Sequence, residues 1–136
     1  MRLAKAALAA IQAHGEEGYP NEICGFLVAK KGSGEVIETR RIRNTIVDRS
    51  RDRYEMDPID QIRAQRECDE AGLDVVGYYH THPDHPARPS VFDAERSWAG
   101  AVYVIASIEK GKLVDINAFV PEQDGGPFKP EPLEIA

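Results

Sequence analysis

Apolar positions recur along this chain with two different periods, and the switches between them divide it into helices and strands. Residues 2 to 14 place Leu3, Ala7, Ile11 and His14 on one stripe among strong helix formers, and Gly15 and Gly18 then break the pattern. This predicts an amphipathic helix ending near His14, where a positive imidazole suits the helix dipole. Tyr19-Pro20-Asn21 turns the chain. From Glu22 to Ala29 the sequence is apolar on both faces apart from Glu22 itself, the pattern of a central strand buried on two sides. Lys30 to Glu35 reads as a hairpin turn into a more polar strand at about 35 to 43, nearer a sheet edge.

Residues 44 to 54 are polar and irregular, after which Tyr54-Glu55-Met56 adds a short strand. Asp57 is placed as a helix N-cap with Pro58 as the first helical residue. That helix is expected to reach Ala71, to stop at Gly72 and to turn Ile59, Ile62 and Arg66 inward. A strand over 74 to 82 follows, then a helix over 90 to 99 with Trp98 packing it onto the sheet. Strands at 101 to 108 and 112 to 120 come next, the second turning Val114, Ile116, Ala118 and Val120 inward. Residues 121 to 136 carry prolines and Gly125-Gly126, so they are expected as an extended tail or a short edge strand. The order α-β-β-α-β-α-β-β describes helices packed on a mixed sheet, an α/β class.

A chain of 136 residues suffices for one domain, 1 to 136, able to bury about two-thirds of its unfolded surface without disulfides. Hydrophobic content of 42% with 29% charged residues is that of a soluble globular protein, and no apolar run is long enough to span a bilayer. The first residues imitate a signal peptide, but Lys5 interrupts the apolar stretch and the helical pattern runs on. A net charge of −6 argues against nucleic acid as a partner. Cys24 and Cys68 cannot form a disulfide framework and suit a reducing cytoplasm; Cys24 is read as a small buried thiol. Arg40, Arg41, Arg43, Arg49, Arg51 and Arg53 crowd one connection, as a solvated loop or as a docking patch for an acidic protein.

The chemistry concentrates between residues 76 and 93. Val76, Tyr78, His80 and His82 share one face of a strand because side chains alternate with period two, so both imidazoles come within reach of one ion. The loop from Pro83 to Pro89 is too proline-rich for a helix, and a fresh start at Ser90 swings Asp93 back to the strand end. Ser90 and Asp93 are also spaced as a helix-capping pair, a role compatible with facing a site. His80, His82 and Asp93 then make three ligands for one zinc per chain and leave a fourth position open, as catalysis requires. His85 is expected at the rim rather than on the metal.

His80-x-His82, seven residues, Ser90, two residues and Asp93 resemble the complete motif of the JAMM (MPN+) zinc metalloproteases. Glu22 occupies the place of that family's early-strand glutamate, and Tyr-His-Thr-His-Pro-Asp-His-Pro is most similar to small bacterial members. Thr81 departs from the serine common in relatives but points away from the metal face. The resemblance implies a cytidine-deaminase-like α/β sandwich with a curved mixed sheet. It implies Glu22 as general base and acid, and Ser90 as donor to the oxyanion of the tetrahedral intermediate. The implied substrate is an amide or isopeptide bond after the C-terminal glycine of a ubiquitin-like sulfur carrier, with cysteine or a conjugated protein as leaving group.

Three other readings compete. His80-Thr-His-Pro-Asp84-His85 also fits the metallo-β-lactamase-like signature, but that fold needs histidines further downstream, and none follows His85. A zinc deaminase would need a Pro-Cys-x-x-Cys pattern, which is missing. A metal-free MPN-type scaffold would have lost ligands, and here all are present.

Overall fold

The computed structural model describes residues 1–136. Its centre is the pair β2 (Cys24–Lys30) and β4 (Leu73–Pro83), antiparallel to each other. The remaining strands are β1 (Arg2–Leu3), β3 (Val36–Ile42), β5 (Val102–Glu109), β6 (Lys112–Pro121), β7 (Phe128–Glu131) and β8 (Glu134–Ile135). All eight form one mixed sheet in the order β7-β6-β5-β4-β2-β3-β1-β8, with β4 and β5 parallel. Three helices complete the chain: α1 (Lys5–Gly18), α2 (Pro58–Glu70) and α3 (Val91–Glu95). None is long and apolar enough to cross a membrane.

The double-faced apolarity of β2 has the predicted cause. Leu27 joins Ala7 and Ile11 of α1, Val36, Tyr79 and Val104 in one core, while Cys24, Phe26 and Val28 join Ala64 and Cys68 of α2 in another. Each helix therefore covers one face, and β2 is buried on both.

Several expectations are corrected. Arg2 and Leu3 leave the helix and pair with β3 and β8, so α1 starts later and runs four residues past His14 to Gly18. Gly15 is not a stop signal: a Cβ there would meet Ile108 Cδ1 at 2.8 Å and Thr81 Cγ2 at 2.9 Å, so the glycine lets α1 lie close on the sheet. Asp57 caps α2 as expected, its side chain accepting from the Ile59 amide. The inward stripe is Ala64 and Cys68, however, while Ile59 and Ile62 are 68% and 61% exposed. Small residues one turn apart allow α2 to approach β2 and β4, which large isoleucines on that face would prevent.

The helix expected over 90 to 99 ends at Glu95. Ser97 returns its hydroxyl to the Ala94 carbonyl at 2.7 Å and competes with the next helical turn. Trp98 is consequently 63% exposed and does not pack on the sheet. In β6, Ala118 and Phe119 are both buried and Val114 is 55% exposed, so strict alternation fails. A register shift between Ser107 and Ile108 separates the outer part of this hairpin from the inner one. The tail uses both sheet edges, β7 pairing with β6 and β8 with β1.

Candidate metal centre

β4 and β5 run parallel, so the connection between them starts at the carboxyl end of β4, where open α/β sheets place their ligands. His80 and His82 stand at that end on the α2 side, with Nε2 atoms 3.2 Å apart. Between them Thr81 faces the other way, its Oγ1 accepting from the Ile23 amide at 3.0 Å. Ser90 and Asp93 form a reciprocal capping box at the start of α3, as their spacing predicted. The cap brings Asp93 Oδ1 to 3.2 Å from His80 Nε2 and Oδ2 to 3.0 Å from His82 Nε2.

Glu22 precedes the first residue of β2 rather than lying within that strand. Its amide donates to the Ser50 carbonyl and its carbonyl accepts from Asn44 Nδ2, which ties it to the loop after β3. The carboxylate is buried, and one of its oxygens lies within 4.8 Å of a nitrogen of each of His80 and His82. All five residues singled out in the sequence therefore meet at one end of β4.

Hydrogen bonding around these groups is what makes the cluster chemically incomplete. His82 Nδ1 lies 2.8 Å from the Pro86 carbonyl, which only accepts, so the neutral ring keeps its proton on Nδ1 and turns an Nε2 lone pair outward. That lone pair faces Asp93 Oδ2, itself an acceptor already bonded by the Ser90 amide at 2.9 Å. His80 Nδ1 is buried with no partner at all. Acceptors aimed at one another in a buried space call for a cation, and imidazole nitrogens with a carboxylate are the donor set zinc prefers. The residues present thus fit a zinc ion.

Charges are displaced accordingly. Burial works against the Asp93 carboxylate, but His80, His82 and the Ser90 amide outweigh it and hold the group well below the usual range. Burial pushes His80 down. For His82 burial acts in the same direction, but the Asp93 and Pro86 bonds prevail and raise it. Glu22 is pushed up to about 8, chiefly by burial; His82 opposes the rise, while Asp93 and Asp52 add to it.

A cavity of about 280 Å³ opens beside the cluster, lined by Glu22, Asp52, His82, His85, Arg88 and Ser90 without one hydrophobic residue. His85 is exposed there, at the rim. Tyr54 was not singled out in the sequence, yet its ring stacks on His80 at 4.5 Å between centroids and fixes the imidazole plane. The short strand expected at Tyr54-Glu55-Met56 reduces to a single bridge between Met56 and Asn44, so no strand period places this ring. Phe92 likewise holds guanidinium groups on its ring, Arg53 at 4.6 Å and Arg96 at 4.4 Å. Other arginines of the crowded connection are held internally: Arg40 by Glu38, Arg41 by Glu17, Arg43 by Asp57 and Arg49 by Asp52.

The sequence profile described as "Prokaryotic homologs of the JAB domain" matches residues 4–120. The chain belongs to the prokaryotic JAB family. This JAB chain is similar to the desampylase of Haloferax volcanii, 36% identical over 112 residues that cover 79% of this chain and 80% of that protein. It is also similar to the CysO-cysteine peptidase of Mycobacterium tuberculosis, 32% identical over 99 residues, 72% of this chain and 66% of that one. Its fold superposes on a JAB1/MPN domain protein from Archaeoglobus fulgidus with a TM-score of 0.66 at 18% identity, covering 100% of this chain and 99% of that one. A mixed, curled sheet flanked by helices is the fold of the family, and this member is a JAMM-type hydrolase.

Proposed function

We propose that this protein is a zinc peptidase that hydrolyses the amide or isopeptide bond after the C-terminal glycine of a ubiquitin-like protein, a sulfur carrier in particular. The observation that carries the reading is the His82 Nδ1 bond to Pro86, which leaves Nε2 as a lone pair confronting the Asp93 carboxylate. One zinc per chain held by His80, His82 and Asp93 would supply a Lewis acid and lower the pKa of water toward 7. The names of the relatives, a desampylase and a CysO-cysteine peptidase, support hydrolysis of ubiquitin-like protein conjugates as the substrate class.

The chain's own residues then divide the work. Glu22, buried at the wall of the cavity and kept ionised where a neighbouring cation offsets the burial that raises its pKa, takes the proton of the attacking water and returns it to the departing nitrogen, which amide hydrolysis needs because an amide anion leaves poorly. Ser90 Oγ accepts from the Asp93 amide at 3.0 Å, so its own proton is free for the carbonyl oxygen as negative charge develops there. Tyr54 keeps the His80 ring in plane. The two thiols are free and buried, with Cys24 pushed up to about 12 by burial, which fits a cytoplasmic protein.

The test is elemental analysis of protein purified without chelator, joined to hydrolysis of a carrier-glycyl amide. Zinc near one equivalent with turnover is expected. Absence of zinc, with His80→Ala indistinguishable from the parent, would sink the reading.

A further inference from the structure

Arg88 lines the catalytic cavity together with Glu22, Asp52, His82, His85 and Ser90, and it is the only arginine or lysine that does so. It forms no ion pair and no side-chain hydrogen bond within the chain, unlike Arg49, which neutralises Asp52 at 2.6 Å. Its backbone, in contrast, is held firmly. The His85 carbonyl accepts from Ser107 Oγ at 2.6 Å, the Pro86 carbonyl from His82 and from the Arg88 amide, and the Ala87 carbonyl from Asn117 Nδ2 at 3.0 Å. Ala87 itself is fully buried between them. A free guanidinium is thus presented from a rigid loop two residues before Ser90, at the wall of the cavity where the scissile bond must lie.

Resting on the proposed peptidase activity, we propose that Arg88 is a specificity-determining residue that binds the free α-carboxylate of the leaving amino acid. The reaction would therefore favour release of a single amino acid over release of a protein lysine. An α-carboxylate is separated from the leaving nitrogen by one carbon, so it necessarily enters the same cavity as the bond being cut. The Glu22 carboxylate that serves as base would repel it there, and a cation on the same wall offsets that repulsion. A guanidinium does so with two parallel donors matched to the two carboxylate oxygens. A lysyl ε-amine brings no anion to this place and gains nothing from Arg88.

The test compares hydrolysis of three adducts of one carrier: an amino acid with free carboxylate, the same amino acid as its carboxamide, and an Nε-lysyl peptide. Affinity of the first two is also measured on Glu22→Gln protein, where no cleavage intervenes. The parent should prefer acid over carboxamide by about 10- to 100-fold in kcat/KM and in affinity, the scale of one charge-assisted bidentate contact. Arg88→Gln should abolish that preference, and Arg88→Lys should retain part of it. Equal treatment of acid and carboxamide by the parent would overturn the proposal while leaving the peptidase reading intact, as would a uniform loss on all three adducts in Arg88→Gln. If the parent cleaves none of the adducts, the peptidase reading fails and this proposal with it.

Discussion

Two polar clusters sit back to back on neighbouring residues of β4. Tyr79 faces α1, where its hydroxyl meets His14 Nδ1 at 2.8 Å; His80 faces α2, where it meets His82 and Asp93. Both clusters are largely buried and both contain histidine that burial drives toward its neutral form. The difference lies in the count of donors and acceptors. A neutral imidazole and a phenol satisfy each other with one proton between them, so the α1 cluster is complete as it stands. On the other face a carboxylate confronts the lone pair of neutral His82 and His80 Nδ1 has no partner, so that cluster is balanced only by a cation. Unbalanced hydrogen bonding, not the presence of buried histidine, is what distinguishes a site from a structural pair.

The largest expected effect separates the two clusters outright. His80→Ala should remove bound zinc and lower hydrolysis by a factor on the order of 10⁴ or more, because several kcal/mol of charge stabilisation depend on that centre. His14→Ala should leave zinc content unchanged. Measuring metal and turnover on both variants tests the contrast; loss of zinc in His14→Ala would erase it.

Next in size comes Glu22→Gln. Glutamine retains the shape and a hydrogen bond but cannot take a proton, so turnover should fall by a factor on the order of 10² to 10⁴ with zinc retained. Stability should change little. Full turnover with zinc present would require the proton transfer to be reassigned.

Chelation should have a smaller effect, and on stability. Zinc that binds only the folded chain at 100 times its dissociation constant adds about 2.7 kcal/mol, so its removal should lower the thermal midpoint measurably. The shift should vanish in Asp93→Asn and persist in Tyr79→Phe. A midpoint indifferent to chelator in the parent would mean that the centre is balanced without metal after all.

Much of this could be read from the chain because short-range rules govern it. His80 and His82 were placed on one face by strand period alone, and Ser90 with Asp93 by the spacing of a capping box. The features that escaped depend on packing between distant segments. Gly15 looked like a helix stop because its close neighbours, Thr81 and Ile108, lie far along the chain. Ile59 and Ile62 looked inward-facing because apolarity alone does not reveal that α2 needs small residues at its contact. Tyr54 could not be linked to His80, since an irregular loop gives no period from which to project a partner. The same limit applied to His14, whose partner Tyr79 is 65 residues away.

His14 supplies the smallest effect and the finest test. Read as the end of a helix, it would be a cation stabilised by the dipole and would lend stability at low pH. Inside α1 the opposite holds: burial first and Arg41 second push it from 6.5 down to about 4, with Glu17 opposing. Between pH 6.5 and 4 the unfolded chain therefore binds a proton at this position that the folded chain refuses, so stability must fall as pH falls through that window and level off below it. Allowing for solvent screening of a partly exposed ring, the loss is on the order of 1 to 2 kcal/mol. His14→Gln keeps a polar partner for Tyr79 and removes the titration. With parent and variant both saturated with zinc, the parent's denaturant midpoint should fall relative to the variant's as pH drops from 7 toward 4, so the two converge or cross if the parent begins the more stable and diverge if it begins the less stable. A parent that instead gains on His14→Gln as the solution is acidified would show that His14 is protonated in the fold, and the completeness claimed for the α1 cluster would be lost.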